Sequence, residues 1–241
     1  MSSATESKKT GLPRLRRFLW GTVLVAIALS VVPVLCLRWI APPTSAFMIE
    51  KRIARFHDGK PQSVIRYRWT AWGSIAPAMR LAVVAAEDQK FPYHWGFDIE
   101  SIADAVQHPG KRGRLRGAST ITQQVARNLF LWPGRSVVRK SLEAYFTVLL
   151  EWLWPKQRIL EVYLNISEFG DGIYGVSSAS QTFFGKRPAE LQTQEAALLA
   201  AVLPNPVQFH VRNPSAHVRE RAIWIEGQMA SLGGPAYLKG L

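Results

Sequence analysis

The longest uncharged apolar run in the chain lies near its start. From Phe18 to Leu37 the residues FLWGTVLVAIALSVVPVLCL carry no ionisable group. As a helix at about 1.5 Å per residue this run reaches ~30 Å, the thickness of a bilayer core, and it predicts a transmembrane helix over 18–38. A cleaved signal peptide would have a core of about 7–15 residues followed by an A-x-A-like site, and neither is found here. Residues 39–75 are mixed. Pro42-Pro43 reads as a stiff exit, VIRYRW (64–69) alternates as a short strand, and the segment as a whole reads as a juxtamembrane linker. After Pro77 the apolar period becomes helical. Helices are expected in AMRLAVVAAEDQ, SIADAV, STITQQVARNLF, SVVRKSLEAYFTVLLEWLW, KQRILEVYLN, VSSASQTFF and QEAALLAAVL, the last closed by Pro204. Strand signals are few, so a mainly α domain is expected over 76–241.

Charge changes this picture most. Thirty Lys and Arg face seventeen Asp and Glu, a formal +13, while 48% of residues are hydrophobic, too many for a disordered basic tail. One cysteine, Cys36, excludes an intramolecular disulfide, and no Cys/His group has zinc-site spacing. An excess of this size calls for an anionic partner: nucleic acid, anionic lipid or a phosphorylated substrate. Its position narrows the choice. Lys8, Lys9, Arg14, Arg16 and Arg17 against Glu6 make residues 1–17 a basic tail, which by the positive-inside bias stays in the cytoplasm and places the rest of the chain on the outer face. That topology disfavours nucleic acid. Between Gln107 and Gly117 a Gly-rich stretch holds Lys111, Arg112, Arg114 and Arg116 with no acid, which reads as a mobile basic loop.

Four clusters carry candidate chemistry. In EDQKFPYHWG, Glu87 follows Val83 and Val84 by one helical turn, so its carboxyl sits over an apolar strip at a helix end. Such a site raises a carboxyl pKa toward neutrality and suits a general base. Taken singly, a Glu-Asp pair such as Glu87-Asp88 at a helix end is most often a solvated terminus, and a histidine such as His94 more often a structural hydrogen-bonding one than a catalytic one. In RGASTITQQVARNLF, Thr120 with Gln123 fits a capping box, and the helix start it marks favours anions. Ser119, Thr122, Gln123 and Gln124 are more polar groups than capping requires, and suit a sugar or phosphate; Arg127 lies one turn further. In GRSVVRKSLE, Arg139 and Lys140 share a helix face with Glu143 at i,i+4 and i,i+3. A surface ladder of this kind is worth only a few tenths of a kcal/mol. With Arg135 upstream, however, the cations suit a diphosphate. In KQRILEVYLN the spacing of Ile159 with Tyr163 and of Leu160 with Leu164 marks a core-facing helix, with glycines 170, 172 and 175 forming a tight loop after it.

Taken in order, these clusters resemble the five motifs of the peptidoglycan glycosyltransferases of glycosyltransferase family 51. They match at Glu87-Asp88 with Phe91, His94 and Gly96; at Gly117-Ala118-Ser119-Thr120-Ile121-Thr122-Gln123-Gln124; at Arg139-Lys140 with Glu143; at Lys156, Ile159-Leu160-Glu161 and Tyr163-Leu164-Asn165; and at Gly175-Val176 with Ala179 and Phe184. The match spans about residues 76–206. Ala118 departs from it, standing where the family has a second glycine.

The resemblance implies a lysozyme-like, bilobal, mainly α glycosyltransferase domain behind one membrane helix at the bacterial inner membrane, polymerising lipid II into β-1,4-linked glycan. It implies Glu87 as general base and Arg127, Arg135, Arg139 and Lys140 at the donor diphosphate. It places Asp88, His94, Ser119, Thr120, Gln123, Gln124, Lys156 and Asn165 at the substrate. Glu143 becomes a second essential glutamate, positioning cations or holding a divalent cation (Mg or Mn), and the two remain open. Partners would be lipid II, the undecaprenyl-linked chain, membrane lipid and cell-division or elongation proteins, with no nucleic acid. About 35 residues follow Pro206 and no Ser-x-x-Lys occurs, so the short, monofunctional form without a transpeptidase domain is expected. The competing class is a lysozyme-like lytic enzyme, which would have no use for cations around the second glutamate.

Overall fold

The computed structural model describes residues 12–59, 64–100, 103 and 119–241. The chain divides into two compact units, residues 1–40 and 41–241. In the first, α1 (Leu12–Leu37) begins ahead of the apolar run. Pro13 sits in its first turn, where a missing N–H costs nothing, so LPRLRR continues the helix outward. Arg16–Leu37 is, among the described residues, the one stretch long and apolar enough to cross a membrane. Of the segment 101–118, which holds the expected SIADAV helix, the basic loop and Ala118, only helical Ala103 is described.

The second unit starts at Ala41, earlier than residue 76. The segment expected as a linker folds instead, for three physical reasons. Ser45 caps α2 (Ala46–His57) by accepting from the Met48 N–H at 3.2 Å, and Met48 is fully buried. Tyr67 donates to the Pro42 carbonyl at 2.5 Å. The pair Arg66–Tyr67, all of VIRYRW that forms a ladder, is β1, and it runs parallel to β3 (Ile173–Tyr174) in a small sheet ordered β1-β3-β2, with β2 at Glu168–Gly170.

The rest is helical: α3 (Pro77–Glu87), α4 (Ile121–Phe130), α5 (Val137–Leu153), α6 (Lys156–Ile166), α7 (Gly175–Phe184), α8 (Thr193–Val202) and α9 (Ala216–Ser231). They form two groups. In one, α3 is buried on nearly every side, from Met79 through Ala85, against α8 and α9. In the other, α4 lies on α5 and α6, with Phe130 stacked on Phe146 at 4.6 Å. Each large side chain buried in this way contributes about 1.5–3 kcal/mol. α9 is not among the helices expected from the apolar period. Its inward face, Val218, Ala222, Ile225 and Met229, is a narrow stripe among charged neighbours, but it carries two groups that reach the site.

One close approach fixes the lower support of the domain. Asn165 is fully buried. Its amide donates to the Thr70 and Glu161 carbonyls at 2.9 and 2.8 Å, and its oxygen accepts from the Thr70 N–H at 2.7 Å. Its own carbonyl faces Gly175, where a Cβ would lie 2.5 Å away on a backbone with φ +80°. Gly175→Ala therefore meets both a left-handed backbone penalty of about 1–3 kcal/mol and a clash with main chain. Gly185 has φ +67° and open space. In urea unfolding Gly175→Ala should cost at least about 1 kcal/mol more than Gly185→Ala; equal costs would contradict the close approach.

Candidate active site

The site grows from the end of α3. Asp88 follows Glu87 as the helix C-cap, and its side chain is almost wholly buried. One of its carboxylate oxygens meets His94 Nε2 at 2.9 Å, and the other accepts from the Ile121 N–H at the start of α4, also at 2.9 Å. A carboxylate at a helix N-terminus is favoured by the unpaired N–H groups there. Thr120 completes the junction: its hydroxyl accepts from the Gln123 N–H, donates to the Gly96 carbonyl at 2.6 Å, and with Gln123 forms the expected capping box. Gly96 has φ +76°, and a Cβ there would meet Thr147 at 2.6 Å. The loop 88–96 is thereby pressed onto α5.

This clasp presents Glu87 to a cleft of about 250 Å³ lined by Gln89, Asp98, Ser119 and Trp224 among others. Only 15% of the Glu87 side chain is exposed. Gln124 Nε2 donates to one carboxylate oxygen at 3.0 Å, and Arg221 Nη2, from α9, lies 3.5 Å from the other. The amide of Gln124 is oriented by Tyr163, whose buried hydroxyl donates to Gln124 Oε1 at 3.2 Å, leaving the NH₂ to face Glu87. Burial raises the Glu87 pKa above its ordinary 4.5, more than Gln124, Arg221 and Arg127 together lower it. Burial, and then the charge of Glu87, also hold the Tyr163 phenol well above its usual range, so it remains a proton donor.

The expected residues divide by what the structure does with them. Ser119 is exposed at the cleft, and Gln124 and Arg127 act on Glu87. Asp88, His94, Thr120 and Gln123 all bond within the clasp, and Asp88 and Thr120 also line the cleft. One atom is left over: His94 Nδ1 is buried without a partner. Thr122 is buried and bonds Glu151 at 2.5 Å. Lys156 also bonds Glu151, at 2.8 Å, and stands over the Phe91 ring at 4.5 Å, bracing the clasp loop. Asn165 is the clearest correction: it is sealed in the support described above and does not line the cleft. Two residues of α9, Arg221 and Trp224, reach the site unanticipated. The inward spacing 218, 222, 225, 229 is the sequence signal that would have revealed their helix.

The cation group sits on α5, which packs against α4. Ser136 caps α5, Arg139 is buried and donates to Glu143 at 2.8 Å, and Lys140, half exposed, bonds the other oxygen of Glu143. Arg135 is exposed just ahead of them. Arg127 is the cation of this side whose charge reaches Glu87. The fit of a divalent cation at Glu143 can be judged from its donors. Both oxygens already serve cations, the side chain is 3% exposed, and the described residues hold no group of three or more acidic, His or Cys ligands. A divalent ion, a third positive group here, would find its ligand taken and two cations beside it. Glu143 is built to hold Arg139 and Lys140.

The raised Glu87 pKa has a thermodynamic consequence. A carboxyl whose folded-state pKa exceeds its unfolded value binds more protons when native, so its contribution to stability falls as pH rises from 4.5 through the raised value. Glu87→Gln removes that loss. The variant should be more stable than the parent at pH 8, with the difference closing below pH 4.5. Thermal melts across pH check this, and equal stability at both ends would contradict it.

Comparison with known proteins identifies the family. The family model described as transglycosylase matches residues 52–230. The chain is 50% identical over 236 residues to the biosynthetic peptidoglycan transglycosylase of Xanthomonas oryzae pv. oryzae (strain KACC10331 / KXO85), covering 97% of this chain and 96% of that protein. It is 53% identical over 217 residues to the protein of that name from Stutzerimonas stutzeri (strain A1501), covering 90% and 89%. With that of Pseudomonas entomophila (strain L48) it shares 49% over 230 residues, covering 95% and 97%. A family model across most of the chain and relatives near half identity along almost its whole length lead to one conclusion: the chain belongs to the transglycosylase family.

Proposed function

We propose that this protein is a peptidoglycan glycosyltransferase that polymerises lipid II into β-1,4-linked glycan and releases undecaprenyl diphosphate. The observation that carries this reading is the buried carboxyl of Glu87, its pKa raised, at a cleft, with Arg127 of α4 near enough to act on it and a diphosphate-suited cation pair held by Glu143 on α5, the helix packed against α4. The names of the relatives support it.

In the reaction Glu87 takes the proton from the 4-hydroxyl of the acceptor sugar. That oxygen forms its bond to the anomeric carbon of the donor as the bond from that carbon to the diphosphate oxygen breaks. The electron pair leaves with the diphosphate, the proton stays on Glu87, and a single displacement inverts α to β. A general base works best with a pKa near the working pH, which burial supplies here. Gln124 and Arg221 hold the carboxylate in place. The leaving group needs its charge balanced rather than a proton, the work given to Arg127, Arg135, Arg139 and Lys140, with Glu143 keeping the last two extended. A lytic enzyme cleaving an uncharged glycosidic bond would gain nothing from them. Ser119 and Trp224 offer a hydroxyl and an indole face to a sugar at the cleft.

The apolar helix α1 would anchor the enzyme in the inner membrane, where a lipid-linked substrate resides, with the basic tail cytoplasmic and the catalytic unit outside. The coverage of relatives of similar length supports a monofunctional enzyme.

Two outcomes test the assignment. Glu87→Gln should lower polymerisation of purified lipid II by about 10²–10⁴-fold while the protein still melts cooperatively; polymer at the parental rate would remove Glu87 from the role of base. Lys140→Met, at a half-exposed position, should lose about 10–100-fold in use of a lipid-linked oligomer as donor, the equivalent of about 1.5–3 kcal/mol for a charged hydrogen bond. Its acceptor KM should change far less. Equal loss on both sides would contradict a diphosphate role.

A further inference from the structure

A second, larger cavity of about 580 Å³ lies between β1, α7 and the turn at Pro188, well removed from Glu87. Ala76, at the start of α3, donates to the Pro188 carbonyl in its wall, and Glu87 stands at the other end of that 11-residue helix, ~16 Å along its axis. The cavity is large enough to take a disaccharide-sized ligand.

Its chemistry is selective. Arg66, Arg68, Lys186 and Arg187 line it, and no acid does. Lys186 and Arg187 are balanced from outside the cavity by Glu195 and Glu190, but Arg66 and Arg68 have no acidic partner among the described residues. Both point to the same side of the strand, since Tyr67 between them turns inward to Pro42. Arg66 is steadied by the Thr182 hydroxyl at 3.3 Å. Opposite them α7 presents Ser177, Ser178, Gln181 and Thr182, spaced to lie on one helix face, and Trp69 adds a flat indole held over Arg158 at 4.9 Å. Among the described residues, none of the large apolar side chains that stand exposed lines the cavity, so it offers nothing to insert among acyl chains. Hydroxyl and amide groups beside an aromatic face suit sugar rings, and two unbalanced guanidinium groups suit carboxylates. A glycan bearing peptides with free carboxylates has both features, and given the reaction proposed above it is the polymer this enzyme makes.

We propose that the cavity formed by Arg66, Arg68, Trp69 and the polar face of α7 is a second binding site for peptide-bearing glycan, retaining the strand at a distance from the reaction centre. A strand held there stays with the enzyme between additions, so the site favours longer products.

The test uses the full-length protein in detergent and a soluble disaccharide-peptide that lacks lipid and phosphate. Calorimetry should show binding to the parent, weakened by added salt. The affinity should fall about tenfold or more in Arg66→Gln/Arg68→Gln and in the single variant Arg68→Glu, all at exposed positions. A peptide-free N-acetylglucosamine oligomer should bind more weakly than the disaccharide-peptide. Lipid II turnover by the double variant should stay within about twofold of the parent while its strands shorten. Absence of disaccharide-peptide binding to the parent, or undiminished binding by both variants, would overturn the proposal. So would loss of binding to anionic phospholipid vesicles in the variants with disaccharide-peptide binding intact, since the site would then be a membrane contact. Disaccharide-peptide binding through these arginines by a protein that fails to polymerise lipid II would uphold the site and refute the reaction.

Discussion

Everything at the catalytic end of this domain depends on the carboxylate of Asp88. It sits between the last turn of α3 and the first turn of α4, accepting from one and facing His94 on the other side. Without it, α4 would begin with an unpaired N–H inside the protein, and the loop to Gly96 would lose the anchor that keeps it against α5. Glu87 is one residue away. Its position, its burial and its contact with Gln124 follow from the clasp: of the acidic pair at this helix end, Asp88 bonds within the structure and Glu87 is left facing the cleft.

The second organising constraint is electrostatic. Burial makes the charged form of Glu87 costly, and Gln124, Arg221 and Arg127 offset part of that cost without removing it. Glu143 is in the opposite situation, enclosed by the cations of its own helix and fully engaged by them. Two glutamates of one domain thus acquire different properties from their surroundings. One is held in a state that can accept a proton. The other has both oxygens engaged by Arg139 and Lys140 and holds them in register. The basic excess is likewise concentrated, in residues 1–17, in the stretch 107–117, in a cation group on α4 and α5, and in the arginines of the second cavity.

Most of the helical frame was legible in the sequence because each helix has its own period and punctuation. Thr120 with Gln123, Pro77 and Pro155 mark starts, and Gly185 a stop, to within a residue or two. The chemistry was legible where it is local, as in the i,i+3 and i,i+4 cations around Glu143 and the apolar strip beneath Glu87. What could not be read is what depends on distant pairing. Asn165 looks like a polar residue at the end of an amphipathic helix, and only Thr70, ninety-five positions away, makes it a buried brace. Arg221 lies 134 positions from the carboxylate it faces, on a helix whose inward stripe is thin. Residues 41–59 look like a linker until Met48 and Tyr67 find their partners. Polar residues in the motifs were all candidates for substrate contact, because sequence does not distinguish a hydroxyl aimed at a ligand from one bonded to a backbone carbonyl.

The account rests on Glu87 being hard to ionise and on α9 taking part in setting that property. The direct measurement is an NMR titration of the Glu87 carboxyl carbon in the full-length protein and in Arg221→Met. The account predicts a midpoint above 4.5 in the parent and a higher one in the variant, where a cation favouring the carboxylate has been removed. A midpoint at or below 4.5 that does not respond to Arg221→Met would contradict it.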